Sequence, residues 1–463
     1  MRIALAIALF FAAQFAAIGA SATRSEGDLA WQRWLGDTIL HTHALPVALG
    51  NETFSAAGAA WVPQEWFFSI LVALAMHAHL FALLAACVGL GAGLALALIA
   101  VHARMLGASL PATWLAVLFC GVAMEQLFGV RAQVAVWPLA GACLLLLDLD
   151  DARAFLAIAV AALWANLHAS VMIAPVLALV RAGSYALDGG FGNPRVRRLA
   201  LIALGSAAAT LATPLGAHLP LYALALVHSP IRATILEWRT PRLGDLSFAL
   251  GVLPLAGGTL AAMFATRRVV TRDLLFTLAM LGFALLAVRN MALASLAIAP
   301  LFARALTPLV DDAARTLALL RERRVAVLVT IAMLLGSALI AWRAHDLAER
   351  TSTPLPFAQI AAAARLHGTR HLYCEDFAWC SLALGDAHLR TFLDGRCDPF
   401  PLSVWSAYLA VQHDRARRFA ILRAYAVDTV LADSRGRLAR ALRERRRWRV
   451  VAADGRYALF ARE

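Results

Sequence analysis

The sequence predicts a polytopic α-helical membrane protein with a small soluble α/β domain at its C-terminal end. Three observations support this. The 463 residues are 61% hydrophobic, with mean hydropathy +0.71, a composition foreign to soluble globular chains of this size. Apolar runs of about 20 residues, the length that crosses a bilayer, recur along most of the chain. From residue 346 on, the chain turns charged and Arg-rich, and its apolar pattern switches between helical and strand periods. The expected division is a transmembrane domain over 1–345 and a soluble α/β domain over 346–463.

About eleven spans are expected, at 3–20, 66–79, 81–103, 111–128, 134–149, 154–180, 199–218, 246–265, 274–288, 291–305 and 325–343. The first follows Met1-Arg2 and ends near Ala20-Ser21-Ala22, so a cleaved signal peptide and a retained anchor are both readings of it. The anchor is preferred, because a polytopic chain gains nothing by losing its first span.

The formal charge is +13, and every basic side chain is Arg. Much of the Arg flanks apolar segments, as positive-inside topology requires, so nucleic acid is not an expected partner. With the N-terminus in the cytoplasm, the Arg clusters at 195–198, 267–272 and 315–324 are all cytoplasmic. Loops 21–65 and 219–245 and the tail then share the opposite face, periplasmic in a bacterial inner membrane.

Loop 21–65 is long for a first loop and carries Asp28, Trp31, Trp34, Asp37, His41, His43, Glu52, Trp61 and Glu65. Within it 27–40 reads as an amphipathic helix, with Trp31, Trp34, Leu35 and Ile39 on one face. Asp28 stands at its start as a cap, and the Trp rings are expected at lipid headgroup depth. In the tail, 357–367, 402–426 and 435–447 read as helices. His371–Cys374, Arg390–Leu393, Thr429–Ala432, Arg449–Ala452 and Tyr457–Ala461 read as strands, the last two joined by an Asp454-Gly455 turn. Cys87, Cys120 and Cys143 fall in apolar segments. Cys374, Cys380 and Cys397 lie in the tail, where an oxidising compartment favours a bridge between an unspecified pair.

Each residue that could carry chemistry also has a structural reading. Asp28 is a helix cap or a general base near low-dielectric lipid, where a carboxyl pKa rises. Glu65-Trp66 and Glu237-Trp238 are interfacial pairs or paired acids of one outer site. Asn166 and His168, in Trp164-Ala165-Asn166-Leu167-His168, are interhelical hydrogen-bonding groups or polar head-group contacts. Arg289-Asn290 snorkels or binds phosphate, which a planar guanidinium fits. Asp394-Gly395-Arg396 is a turn. Walker, GxSxG, HExxH and dinucleotide-binding patterns are missing from the sequence.

In order along the chain, Asp28, Trp31, Gly36, Ile39-Leu40, Trp61-Val62, Glu65-Trp66, Trp164 to His168, Pro214 with Gly216, Glu237-Trp238, Arg289-Asn290 and Phe392 with Asp394 to Arg396 resemble the pattern of a family of bacterial membrane proteins related to the GT-C superfamily of integral membrane glycosyltransferases. Gln32 and Gln64 stand where that pattern has His, Thr213 where it has Asn, and Glu52 lies near where it has an Asp.

The resemblance implies a GT-C-like fold and transfer of a sugar from a polyprenyl phosphate to an acceptor at the periplasmic face, with membrane lipid around it. Asp28 and Glu65 are the implied catalytic pair. Glu237, Arg289, Asn290, His168, Asn166 and Trp31 are the implied substrate-binding set. A divalent metal ion is the one cofactor implied, with Asp28 and Glu65 as candidate ligands. A transporter or flippase, and an assembly scaffold with a periplasmic docking domain, are the alternatives.

Overall fold

A computed structural model describes residues 27–125, 127–316 and 357–463. The expected spans at 3–20 and 325–343 lie outside the described residues. Contacts divide the chain into two units, one of 82–228 and 232–316, the other of 27–81, 229–231 and 357–463.

The first loop opens with helix α1 (Gly27–Thr42), which carries Asp28 in its first turn. Helix α2 (Trp66–His77) crosses it closely. Gly36 permits that crossing: a Cβ there would lie 2.1 Å from the Ser69 carbonyl oxygen. The apolar stripe of α1 does not face lipid. Leu35 is fully buried and Trp31 nearly so, in a cluster with Trp61 and Leu384. Burial inside protein therefore replaces the expected interfacial placement.

The membrane unit comprises α3 (Phe81–Met105), α4 (Leu110–Glu125), α5 (Trp137–Leu147), α6 (Leu156–Ala165), α7 (Ile173–Gly189), α8 (Pro194–Ala209), α9 (His218–His228), α10 (Leu253–Ala265), α11 (Thr271–Leu286) and α12 (Met291–Thr316). Among the described residues four segments are long and apolar enough to cross a membrane: Phe81–Met105, Ala169–Gly189, Phe248–Ala265 and Val288–Asp311. Shorter apolar helices accompany them, so this is a membrane protein. The segment read as one span over 154–180 is two helices. His168, with extended backbone, breaks it and caps the next turn by accepting from the Ser170 N–H at 2.9 Å. Small residues let the helices approach: Gly251 lies so close to Ala123 that a Cβ would meet its backbone nitrogen at 2.6 Å.

The tail holds α13 (Phe357–Leu366), β1 (His371–Cys374), β2 (Arg390–Thr391), α14 (Leu402–His413), α15 (Arg418–Ala424), β3 (Thr429–Asp433), α16 (Arg437–Arg443), β4 (Trp448–Ala453) and β5 (Tyr457–Arg462). The sheet order is β2-β1-β3-β5-β4. β1 is parallel to β2 and β3, while β5 is antiparallel to β3 and β4. The helix expected over 402–426 breaks at Asp414, which accepts from the backbone N–H groups of Ala416 and Arg417. Cys374 and Cys380 form a disulfide that ties β1 to the turn after it.

The first loop belongs to this sheet. Thr53 bridges Thr391 in parallel register, the Glu52 carbonyl accepts from the Thr391 N–H at 2.7 Å, and the Phe54 N–H donates to the Thr391 carbonyl at 3.1 Å. Residues 52–54 thus cover the β2 edge, which would otherwise expose unpaired backbone groups.

Candidate functional site

The first-loop acids sit on one helix and the segment against it. Asp28 Oδ1 accepts from Trp31 Nε1 at 3.3 Å. Gln32, one turn on and therefore on the same face, donates to Glu65 Oε2 at 2.5 Å, and Gln64 donates to Glu65 Oε1 at 2.9 Å. The structure thus sets Glu65 against the turn that follows Asp28. Gln32 and Gln64, the two positions where the family pattern has His, converge on one carboxylate. Among the described residues no group of three His, Cys, Asp or Glu side chains could hold a metal ion.

Glu52, near the position of the family's second loop acid, is committed elsewhere. Its carboxylate accepts from Arg396 NH1 at 2.8 Å and from the Gly50 N–H at 3.0 Å. Arg396 also holds Asp394 through two parallel bonds, Nε to Oδ1 at 2.9 Å and NH2 to Oδ2 at 2.7 Å. Its guanidinium lies 4.8 Å from the Trp34 ring centre and 5.2 Å from that of Trp61. The Asp394-Gly395-Arg396 turn is therefore a buried anchor for the first loop.

In the membrane unit the structure brings Glu237 and Arg289 together. Arg131 donates to Glu237 Oε1 at 2.5 Å. Arg289 stacks 4.5 Å from the Trp238 ring centre, and Arg232 lies 4.9 Å from the same ring. Gln133 fixes Arg289 twice, donating to its carbonyl and accepting from its NH2, each at 3.2 Å. Arg131 and Arg289 thus act on the Glu237 carboxylate and Arg232 lies over the adjoining Trp238 ring, so the group is net positive. Burial raises the Glu237 pKa, but Arg131 and Arg289 outweigh it and hold the carboxyl below its ordinary range. Arg131, Gln133 and Arg232 escaped the sequence reading. Arg131 and Gln133 straddle the start of an apolar run, and Arg232 is one arginine in a loop, with no motif to mark it.

Asn166 bonds the carbonyls of Ala162 and Ala212, and Asn290 bonds that of Phe283. Both fix backbone around the breaks that hold His168 and Arg289.

A second polar centre was invisible in the sequence. Asp148 bonds His102 at 2.8 Å and Arg181 at 2.9 Å, Arg181 reaches Asp273 at 3.4 Å, and Asp273 meets Arg304 at 3.0 Å. His102, Asp148, Arg181 and Asp273 are all almost fully buried. His102, Asp148 and Asp273 lie near one end of α3, α5 and α11, and Arg181 and Arg304 lie midway along α7 and α12. Gln133 and Arg289 lie just beyond the opposite ends of α5 and α11 and Asn290 just before the start of α12, roughly 20–25 Å away along each helix.

Similarity to solved structures extends over nearly the whole chain. The archaeal oligosaccharyltransferase AglB from Archaeoglobus fulgidus, solved with an inhibitory peptide and a dolichol-phosphate, superposes with TM-score 0.60 at 12% identity, covering 99% of this chain and 74% of its own. An oligosaccharyltransferase from the same organism, in complex with Zn and sulfate, gives 0.55 at 13% identity over 93% and 68%. ArnT from Cupriavidus metallidurans in the apo state gives 0.51 at 16% identity over 94% and 93%. No protein-family model and no curated protein sequence matches the chain. The chain shares its fold with these oligosaccharyltransferases and with ArnT.

Proposed function

We propose that the protein is a glycosyltransferase of the bacterial inner membrane, moving a sugar from a polyprenyl-phosphate carrier to an acceptor hydroxyl at the periplasmic face. The observation that carries this reading is the Arg131–Arg232–Arg289 group around Glu237-Trp238, in a fold shared with AglB and ArnT. A net positive, part-buried group with stacked, oriented guanidiniums suits a phosphate that gains charge as it leaves.

In the proposed reaction Asp28 takes the proton of the acceptor hydroxyl. The acceptor oxygen forms a bond to the anomeric carbon as the bond from that carbon to the phosphate oxygen breaks. The electron pair stays on the lipid phosphate, which Arg289 and His168 bind. Glu65, oriented by Gln32 and Gln64, and Glu237 position the acceptor, and Trp31 orients Asp28. Asn166 and Asn290 complete the substrate-binding set by fixing the backbone that carries His168 and Arg289. No step is routed through a metal ion. The Cys374–Cys380 disulfide supports a non-cytosolic tail, since such bridges persist in oxidising compartments. The Arg-rich cytoplasmic loops support a cytoplasmic N-terminus.

The test uses purified full-length protein in detergent. Undecaprenyl phosphate should raise the melting temperature and undecaprenol should not; Arg289→Gln should abolish the difference. In proteoliposomes supplied with polyprenyl-phosphate sugar, Asp28→Asn should lose release of lipid phosphate while keeping the thermal shift. Equal stabilisation by phosphate and alcohol would remove the phosphate site, and retained release would remove Asp28 as the base.

A further inference from the structure

The tail carries a basic surface that the transfer reaction does not use. Between residues 415 and 449 eleven arginines are exposed, against a single exposed acid, Glu444. The other two acids in that stretch serve the backbone: Asp428 accepts from the N–H groups of Arg370 and His371, and Asp433 from that of Arg435. Asp414, just before it, is likewise committed to Ala416 and Arg417. Among the described residues none of these carboxylates forms an ion pair with an exposed guanidinium of the stretch, so its positive charge is largely uncompensated.

The charge is also gathered in space. The Arg445 guanidinium lies 4.7 Å from the Phe419 ring centre. That contact joins the turn after α16 to helix α15, setting Arg446 and Arg447 beside the elements that carry Arg415, Arg417 and Arg423. Arg449 pairs with Glu463 at 3.7 Å and stands apart from this group. A surface with this density of one sign attracts and concentrates counter-ions of the other.

We propose that this face docks a soluble polyanion: a flexible chain bearing phosphates or carboxylates at close spacing. Guanidinium forks match both groups bidentately. A bilayer surface fits less well, because membrane-seated basic segments set Trp, Phe or Leu beside the charge. No large apolar side chain is exposed between 415 and 449. The binding needs no catalysis and stands independently of the transfer reaction.

The test uses full-length protein in a zwitterionic detergent, with long-chain inorganic polyphosphate as the probe and fluorescence anisotropy as the readout. Binding should weaken steeply with salt. Combined Arg417→Gln, Arg423→Gln, Arg446→Gln and Arg447→Gln should lower affinity about tenfold or more near ~100 mM salt, and reduce the slope of log affinity against log salt by about 3. A control loses the same charge from exposed positions of the membrane unit, through Arg197→Gln, Arg242→Gln, Arg267→Gln and Arg268→Gln, and should keep the parent affinity and slope. Hydrogen exchange on the parent supplies a readout free of variant folding, with polyphosphate protecting 415–449. Equal weakening in both variants, or no polyphosphate binding by the parent, overturns the proposal. So does protection of 415–449 by nanodiscs of anionic lipid but not by polyphosphate, which would make the face a lipid-docking one.

Discussion

The Arg181 guanidinium holds Asp148 through two parallel hydrogen bonds, its Nε and NH2 each 2.9 Å from a different carboxylate oxygen. Both side chains are about 95% or more buried. The pair extends through Asp273 to Arg304 and through Asp148 to His102, so it ties together five helices of the membrane unit. Charges this deeply buried are expensive unless paired, and losing one partner strands the other. Asp148→Asn should therefore destabilise the protein by about 3–5 kcal/mol. The combined Asp148→Leu and Arg181→Met change should recover most of that loss, because it leaves the Asp273–Arg304 pair balanced. Thermal and denaturant unfolding in detergent measures both. A single variant as stable as the parent would show that the network carries no such load.

Arg396 plays the corresponding part for the first loop. It is fully buried, bonded to Asp394 and Glu52, and stacked on Trp34 and Trp61. Arg396→Met leaves Asp394 buried without its main cation and frees Glu52 from the tail. The expected cost is about 3–5 kcal/mol, concentrated locally. Hydrogen exchange should quicken over 43–64 and along β2, where the Glu52 carbonyl accepts from Thr391, while the membrane unit keeps its protection. Uniform quickening of every helix would show a global defect and defeat the assignment of Arg396 as a loop anchor.

What the sequence disclosed and what it hid divide along one physical line. Local patterns were legible. The short buried runs Thr429–Asp433 and Tyr457–Arg462 and the Asp454-Gly455 turn yield β3, β5 and the hairpin. The 3.6-residue spacing of Trp31, Leu35 and Ile39 yields α1. The partner of each face was not legible. The stripe on α1 has one apolar chemistry whether it meets lipid or Leu384, some 350 residues away. Glu52 and Arg396, and Asp148 and Arg181, look like ordinary loop and helix-end charges until folding pairs them. Asp28, Glu65, Glu237 and Arg289 could be nominated from the family resemblance. Arg131 and Gln133, which orient two of them, carry no motif at all.

The two glutamines on Glu65 make a separate prediction. Their amide nitrogens approach its oxygens at 2.5 and 2.9 Å, a reach an imidazole nitrogen can match. Combined Gln32→His and Gln64→His would surround Glu65 with nitrogen donors suited to zinc. The double variant should bind Zn²⁺ at least about 100-fold more tightly than the parent, a change of the size that a lost or gained ligand shell produces. Isothermal titration at pH 7.5 would measure it. Equal affinities in parent and variant would mean that Glu65 does not sit between residues 32 and 64 in a ligand-like geometry.

Glu237 gives the protein a pH dependence whose sign follows from its surroundings. Burial pushes its pKa up, and the charges of Arg131 and Arg289 pull it down further, so the folded carboxyl titrates below the ordinary 4.5 of an unfolded Glu. The folded state then binds fewer protons than the unfolded state in the window from that ordinary value down to the lowered one. Stability from this group is complete above 4.5 and is lost as pH falls through the window. Glu237→Gln removes the titration and leaves Arg131 and Arg289 beside a neutral amide. The variant should melt below the parent at pH 7, and the gap should narrow steadily as both are acidified past 4.5. Melting curves of the purified protein from pH 7 down to the limit of solubility would follow that convergence. A gap that stays constant across the window would mean that the Arg131 and Arg289 charges do not act on this carboxylate, and the phosphate site built from them would lose its electrostatic basis.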